Sequence, residues 1–236
     1  MKIICTICAR GGSKGVPNKN IKLLNGIPLI AYTIQQAIDS KLFSKIVVST
    51  DSQRITDIAK HAGAECWFLR PKYLSSDKAS KLDAIRHAVN KAEKKFETSY
   101  DFVFDLDATS PLRKISDIKN AYKFFIQSKA SNLITATPAR KNPYFNMVEY
   151  TGTKIRLVKS SNGLLSPQSR QAARPVYDMN ASIYIWKRSS LFKNVNLINK
   201  NTALYEMPEE RSIDIDTMID WYLVELLMKS NKKNES

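Results

Sequence analysis

The residues whose types and spacing suit chemistry lie near the two ends of the chain. An apolar run, Ile3 to Ala9, leads into Arg10-Gly11-Gly12-Ser13-Lys14-Gly15-Val16-Pro17-Asn18-Lys19-Asn20, a loop that combines glycines, a hydroxyl and the cations Arg10, Lys14 and Lys19. That mixture suits a polyphosphate. Glycines let backbone N–H groups converge on anionic oxygens, Arg10 grips two oxygens at once, and Lys14 or Lys19 supplies a mobile point charge. The spacing is neither GxxxxGK[ST] nor GxGxxG, so the common Walker and dinucleotide loops lose their support. A basic surface loop with turn glycines has the same composition. Towards the other end, Asp214 and Asp216 alternate with Ile213 and Ile215. On a strand this sets both carboxylates on one face and both isoleucines in the core. Two acids on one face repel unless a cation sits between them. Mg2+ suits such hard oxygen ligands, because it keeps several waters and takes one or two carboxylates plus phosphate oxygens. Standing alone, the pair would read as acids capping the helix that begins at Thr217.

The elements that must position these residues alternate in type. Apolar runs at Ile3 to Ala9, Ile46 to Thr50, Cys66 to Leu69, Phe102 to Leu106, Asn132 to Thr137 and Ala181 to Trp186 read as strands. Helical periodicity marks Ile27 to Ser40, Asp51 to Ala62 closed by Gly63, Ile115 to Ser128, and Thr217 to Met228. Ser80 with Asp83 reads as a capping box opening a further long helix. The pattern predicts an α/β, Rossmann-like three-layer fold with a mixed, mostly parallel sheet and ligands at the carboxyl ends of the strands. The alternation fails from Ala139 to Val176, where two short strand-like pieces, Tyr144 to Tyr150 and Lys154 to Val158, suggest a protruding hairpin. The expected organisation is therefore a core of residues 1–138 and 177–236 with a subdomain at 139–176.

Composition narrows the partners. The chain of 236 residues is 43% hydrophobic with net charge +15, enough for one large core and basic enough to attract phosphates of any kind. Nucleic acid, membrane headgroups and a nucleotide triphosphate all fit that charge. Much of the excess is scattered lysine, including Lys229, Lys232 and Lys233 in the tail, and the aromatic residues occupy core-periodic positions, so no nucleic-acid partner is expected. No apolar run approaches the roughly 20 residues of a membrane span, and the first apolar stretch breaks at Arg10; a cytoplasmic protein is expected. Cys5-Thr6-Ile7-Cys8 has CxxC spacing, which alternate burial on a strand explains without metal or redox chemistry. His61 and His87 sit in helical stretches, and no activated nucleophile is evident.

The run from Ala9 to Asn20 resembles the signature loop of the acylneuraminate cytidylyltransferases, the CMP-sialic acid synthetase family. Further similarities follow in family order: Ser49-Thr50-Asp51, Arg70-Pro71, Ser76-Asp77, Thr109-Ser110-Pro111-Leu112-Arg113, Arg170-Gln171, Asn180-Ala181-Ser182-Ile183-Tyr184 and Ser212-Ile213-Asp214-Ile215-Asp216-Thr217. The resemblance spans nearly the whole chain and implies a nucleotidyltransferase fold and transfer of CMP from CTP to an acidic nine-carbon sugar with release of pyrophosphate. It implies that Arg10, Gly11, Gly12, Ser13, Lys14 and Asn20 hold CTP, that Arg70 and Ser80 lie at the cytosine, and that Asp214 and Asp216 carry Mg2+. Arg10, Lys14 and Asp216 are the implied catalytic residues. The family also implies a homodimer formed through the protruding segment, with Arg170 meeting the acidic sugar or the phosphates.

Two departures from the sialic acid pattern bear on the sugar. Asp107-Ala108 stands where those enzymes read Gln-Pro, and Asp178-Met179 where they read Arg-Pro. An acid in place of an amide removes two donors, and an acid in place of arginine reverses the charge, so N-acetylneuraminate itself is not the expected substrate. With Ala139-Arg140-Lys141-Asn142-Pro143-Tyr144-Phe145-Asn146, these residues are similar to the CMP-legionaminic acid synthetase branch. Asp107, Thr109, Ser110, Arg170, Asp178 and Asn180 are the expected sugar contacts. Cytidylyltransferases for KDO, 8-amino-KDO, pseudaminate or N-acetylneuraminate share the same loop and metal chemistry, and a basic nucleic-acid-binding protein is the reading from another class.

Overall fold

Burial of every residue in Ile3-Ile4-Cys5-Thr6-Ile7 organises the molecule, because a strand buried on both faces must be covered on both. The computed structural model describes residues 1–159 and 173–234; Arg170 and Gln171 lie outside the described residues. The chain runs β1 (Ile3–Cys8), β2 (Leu23–Leu24), β3 (Ile27–Pro28), α1 (Leu29–Ser40), β4 (Lys45–Ser49), α2 (Gln53–His61), α3 (Lys81–Phe96), β5 (Phe102–Leu106), α4 (Ile115–Ser128) and β6 (Asn132–Pro138). A hairpin of β7 (Val148–Thr151) and β8 (Lys154–Leu157) follows, then β9 (Tyr177–Lys187), α5 (Arg188–Lys193), β10 (Thr202–Glu206) and α6 (Met218–Asn234).

The central sheet has six strands in the order β10-β6-β9-β5-β1-β4. Neighbours are parallel except at β9, which runs antiparallel to both β5 and β6. Ile3, Cys5 and Ile7 pack on one face with Ile30, Ile34, Ile55, Ile118 and Phe125 of α1, α2 and α4. Ile4 points to the other face with Ile85 and Val89 of α3 and Leu191 of α5. These are the expected three layers, and each fully buried aliphatic side chain contributes about 1.5–3 kcal/mol. A separate apolar cluster joins Val16, Leu24, Leu29, Leu112, Ile215, Trp221 and Val224. It ties the loop after β1 and the 213–216 segment to α6. Among the described residues no helix is long and apolar enough to cross a membrane.

Local boundaries differ from the sequence reading for identifiable reasons. The helix expected from Ile27 starts at Leu29, because Pro28 stands at its N-cap and Ile27 pairs back to Leu24 across an Asn25-Gly26 turn with positive φ at both residues. Cys66 to Leu69 is not a strand. Only isolated bridges, Val47 to Glu65 and Thr50 to Leu69, form there, while Trp67 and Phe68 turn to pack edge-on against Phe96 and His87. Helix α2 ends as expected at Gly63, whose φ is +93°; the Gly63 and Ala64 N–H groups donate to the carbonyls of Lys60 and Ala59 in a Schellman closure. Ser80 is the N-cap of α3, but its side chain makes no capping bond, and Asp83 pairs with Arg86 instead. Asp214 and Asp216 lie in irregular backbone, not in a strand, where the Ile215 N–H donates to the Thr109 carbonyl at 3.0 Å. Strand β10 and helix α5 carry no clear periodic signal in the sequence.

Candidate active site

Strands β1 and β5 deliver the site at their carboxyl ends, where Cys8 and Asp107 line two adjoining cavities of about 310 and 410 Å3. Arg10 lines both. The first cavity is closed by Arg70, Ser75, Asp77, Ser80 and Lys81. The second is bounded by Ser13, Lys14, Lys19, Asn20, Asp214 and Asp216. The fold thus brings the basic loop and the acid pair to one place, although more than 190 residues separate them in sequence.

The loop after β1 is held at several points. The Ala9 N–H donates to the Ser49 carbonyl at 3.0 Å, the Gly11 N–H to Asp51 Oδ1 at 2.8 Å, and buried Asn20 donates its amide to the Arg10 carbonyl at 2.9 Å. Gly11 has therefore already given its N–H to the protein. A Cβ added at Gly12 would meet nothing within 4 Å, whereas one at Gly15 would collide with the Asp216 carbonyl. Gly15 is required by this close approach, and Gly12 leaves room for a ligand. Lys19 donates to the Ile215 carbonyl and pairs with Asp216 at 3.1 Å. Arg10 and Lys14 both pair with Asp77, at 2.6 and 2.5 Å.

The floor of the site is a buried charge group. Lys81 Nζ lies 2.7 Å from Asp107 Oδ2 and 3.2 Å from Asp105 Oδ2, over the Tyr184 ring at 4.9 Å. The other oxygens of the two acids accept from threonines: Thr6 to Asp105 at 2.8 Å, and the Thr109 hydroxyl and N–H to Asp107 at 2.7 and 3.0 Å. Burial pushes Asp107 upward, but Lys81 and Thr109 outweigh it and hold its carboxyl well below the usual range. Asp105 goes the other way, raised by burial against the pull of Lys81. Burial depresses Lys81, yet Asp107 and Asp105 raise it well above an ordinary lysine. Cys8 is no nucleophile: burial, then Asp105, push its thiol far up.

The acid pair is suited to a hard cation. Asp214 Oδ1 is buried without a hydrogen-bond partner among the described residues. Its carboxyl is pushed up to about 6 by burial and then by Asp107, with Asp216 adding and Thr109 and Lys19 opposing. A buried, unpartnered carboxylate oxygen beside an exposed second carboxylate is the donor set Mg2+ takes when water and phosphate fill its remaining positions. No group of three or more His, Cys, Asp or Glu among the described residues is arranged as a closed metal cage.

The other expected contacts divide. Arg70 is buried, with Nε donating to Ser75 at 3.1 Å, and lines the first cavity with Ser80. Thr109 lines the second. Ser110 is buried, its hydroxyl has no partner among the described residues, and it lines neither. Asp178 is exposed on β9 opposite Thr137, outside both linings. Asn180, expected at the sugar, lines neither cavity. It is 5% exposed; its carbonyl oxygen accepts from Thr135 at 2.7 Å and from the Ser182 N–H at 3.2 Å, while its NH2 donates to Ser212 at 3.0 Å. Those bonds brace the irregularity at Ala181, whose φ is +52°. Arg113, inside the Thr109-to-Arg113 motif, is also structural: buried, it donates to the Ser182 carbonyl at 2.6 Å, Gln36 at 2.9 Å and Thr33 at 3.1 Å.

Sequence reasoning missed Asp77 and Lys81 as parts of the site, and missed Asp105. One signal was available for the last two: a charged residue inside the buried run Phe102-Val103-Phe104-Asp105-Leu106 requires a partner.

Comparison with known proteins gives the family. A family model described as cytidylyltransferase matches residues 4–228. A CMP-N,N'-diacetyllegionaminic acid synthase of Campylobacter jejuni is 50% identical over 227 residues, covering 96% of this chain and 95% of the relative. A post-translational flagellin modification protein B of Campylobacter coli is 48% identical over 228 residues, covering 97% and 95%. Among solved structures, a CMP:2-keto-3-deoxy-manno-octonic acid synthetase complexed with CTP superposes with a TM-score of 0.69 at 17% identity, covering 98% of this chain and all of the other. That last likeness is one of fold.

Proposed function

This chain belongs to the cytidylyltransferase family and is an enzyme of the nucleotidyltransferase type, and on that footing we propose that it transfers CMP from CTP to the anomeric hydroxyl of a legionaminic-acid-like nonulosonic acid, releasing pyrophosphate. The observation that carries the reaction is the facing of Arg10, Lys14 and Lys19 against Asp107, Asp214 and Asp216 around one cavity. For the sugar, support comes from the half-identical relative and from Asp107 in place of the glutamine of the sialic acid pattern.

In this reading Arg10 and Lys14 grip the triphosphate, Ser13 and the open face at Gly12 meet its oxygens, and Asn20 keeps the loop in shape. Arg70 and Ser80 face the base side of the first cavity. Asp107 and Thr109 stand on the sugar side, and Arg170 is assigned to the sugar carboxylate by resemblance alone. The sugar oxygen forms a bond to the α-phosphorus, the bond from that phosphorus to the pyrophosphate oxygen breaks, and the hydroxyl proton passes to water. Asp214 and Asp216 would hold Mg2+, which when bound supplies charge stabilisation to the α-phosphate and the leaving group. The reading includes a homodimer formed through residues 139–176, supported by exposed Val148, Tyr150 and Ile155 on the β7–β8 hairpin.

The test is pyrophosphate release with each of the four nucleoside triphosphates, with and without Mg2+, against legionaminate, N-acetylneuraminate, pseudaminate and KDO. Release with CTP, Mg2+ and legionaminate is expected, and Asp216→Ala abolishes it while leaving the fold intact. Equal rates on N-acetylneuraminate and legionaminate would overturn the sugar assignment.

A further inference from the structure

Asp77 is placed as a substitute anion. One of its oxygens meets Arg10 at 2.6 Å and the other meets Lys14 at 2.5 Å, so a single carboxylate bridges two cations as two oxygens of a phosphate would. Arg10 and Lys14 come from the loop after β1, whereas Asp77 comes from the segment that closes the first cavity. The bridge therefore spans the border between the cavities. All three side chains are open to solvent, at 37%, 78% and 50% exposure, and an arriving anion reaches them without unfolding anything. Lys19 provides the contrast: its side chain is 12% exposed and fixed by Asp216 and the Ile215 carbonyl. Lys14, then Arg10, hold the Asp77 carboxyl below the ordinary range.

We propose that Asp77 competes with phosphate for Arg10 and Lys14, and thereby limits how tightly the enzyme holds nucleotide and, after transfer, pyrophosphate. This rests on the reading that Arg10 and Lys14 grip the triphosphate. Exposed ion pairs are individually weak and screened, so a polyphosphate with several charges displaces the single carboxylate. When pyrophosphate is the remaining anion, Asp77 reclaims both cations and favours its departure. Asp77 thus touches the residues that bind the substrate rather than the substrate itself, and acts on affinity through them.

The experiment titrates the full chain with inorganic tripolyphosphate and pyrophosphate, followed by calorimetry, for wild type, Asp77→Asn, Asp77→Ala and Asp77→Glu. Glu149→Gln, on the remote hairpin, controls for net charge. Asp77→Asn and Asp77→Ala are expected to bind both anions about 3–10-fold more tightly, and pyrophosphate becomes a correspondingly stronger product inhibitor. Asp77→Glu and Glu149→Gln stay near wild type. Unchanged or weaker binding by whichever neutral variant folds, judged by its melting curve, would overturn the proposal and make Asp77 an organiser of the cations. If wild type shows no CTP-dependent pyrophosphate release with any sugar, the functional reading fails, while the tripolyphosphate titration still decides the role of Asp77.

Discussion

Gly15 is packed against the backbone carbonyl of Asp216 so closely that no side chain fits between them. The contact joins the loop after β1 to the segment carrying the acid pair, and it lies directly beside Val16 and Ile215, which are buried in one apolar cluster. Gly15→Ala is therefore expected to push the two apart, costing about 1–3 kcal/mol of stability and at least tenfold in kcat. Thermal melting and a turnover assay on the same sample check it; a fully active alanine variant would show that the two segments separate without consequence.

Lys81 pairs with Asp105 and Asp107 at once. Lys81→Met leaves both carboxylates facing each other without a cation, an arrangement that costs about 2–4 kcal/mol. Because the unpaired acids prefer to be protonated in the fold, the loss is greatest near neutral pH and eases as pH falls. Adding Asp105→Asn should recover part of it, which urea titrations at pH 5 and pH 7.5 would reveal.

Asp214 has the opposite sign to a paired carboxylate. Its folded pKa of about 6 lies above the ordinary 3.8, so the folded state binds the proton more tightly than the unfolded chain does. The resulting cost is absent below about pH 4, grows between about 4 and 6, and is complete above that. Asp214→Asn should stabilise the metal-free protein at pH 7.5 by on the order of 1–3 kcal/mol and leave it nearly unchanged at pH 4. MgCl2 should raise the melting temperature of wild type at pH 7.5 more than at pH 5, and that difference should vanish in the variant.

Asn180 makes its bonds to Thr135, Ser182 and Ser212 and not to the cleft. Asn180→Ala is expected to cost about 1–3 kcal/mol, a fall of about 2–10 °C in Tm, with the KM for the sugar within about twofold of wild type. A large rise in KM at unchanged Tm would return Asn180 to the sugar pocket.

What the sequence made legible was the chemistry that is local in the chain. The glycines and cations of residues 10–20 could be read together because one segment supplies all of them, and the fold sets Arg10, Ser13, Lys14 and Lys19 around one cavity. Helix α4 begins and ends where its periodicity says, at Ile115 and Ser128. The Asp77 bridge was invisible because its partners come from separate segments, Arg10 lying 67 residues away. Lys81 read as a first-turn helix residue, and only the fold shows its ammonium beneath the cleft. Strand β10 escaped because, as an edge strand, Thr202 to Tyr205 are all half-buried and show no alternation. Asn180 shows what a motif leaves open: its bonds to Thr135, Ser182 and Ser212 brace a bend, and a sequence pattern does not separate that from touching a ligand.

Pro138 and Tyr177 are direct partners across β6 and β9. Everything between them leaves and re-enters the sheet at adjacent positions, as a loop of rope hangs from two neighbouring hooks. The two ends of the intervening stretch are thereby fixed side by side, so the spacing of its attachment points is set by the sheet and not by its own sequence.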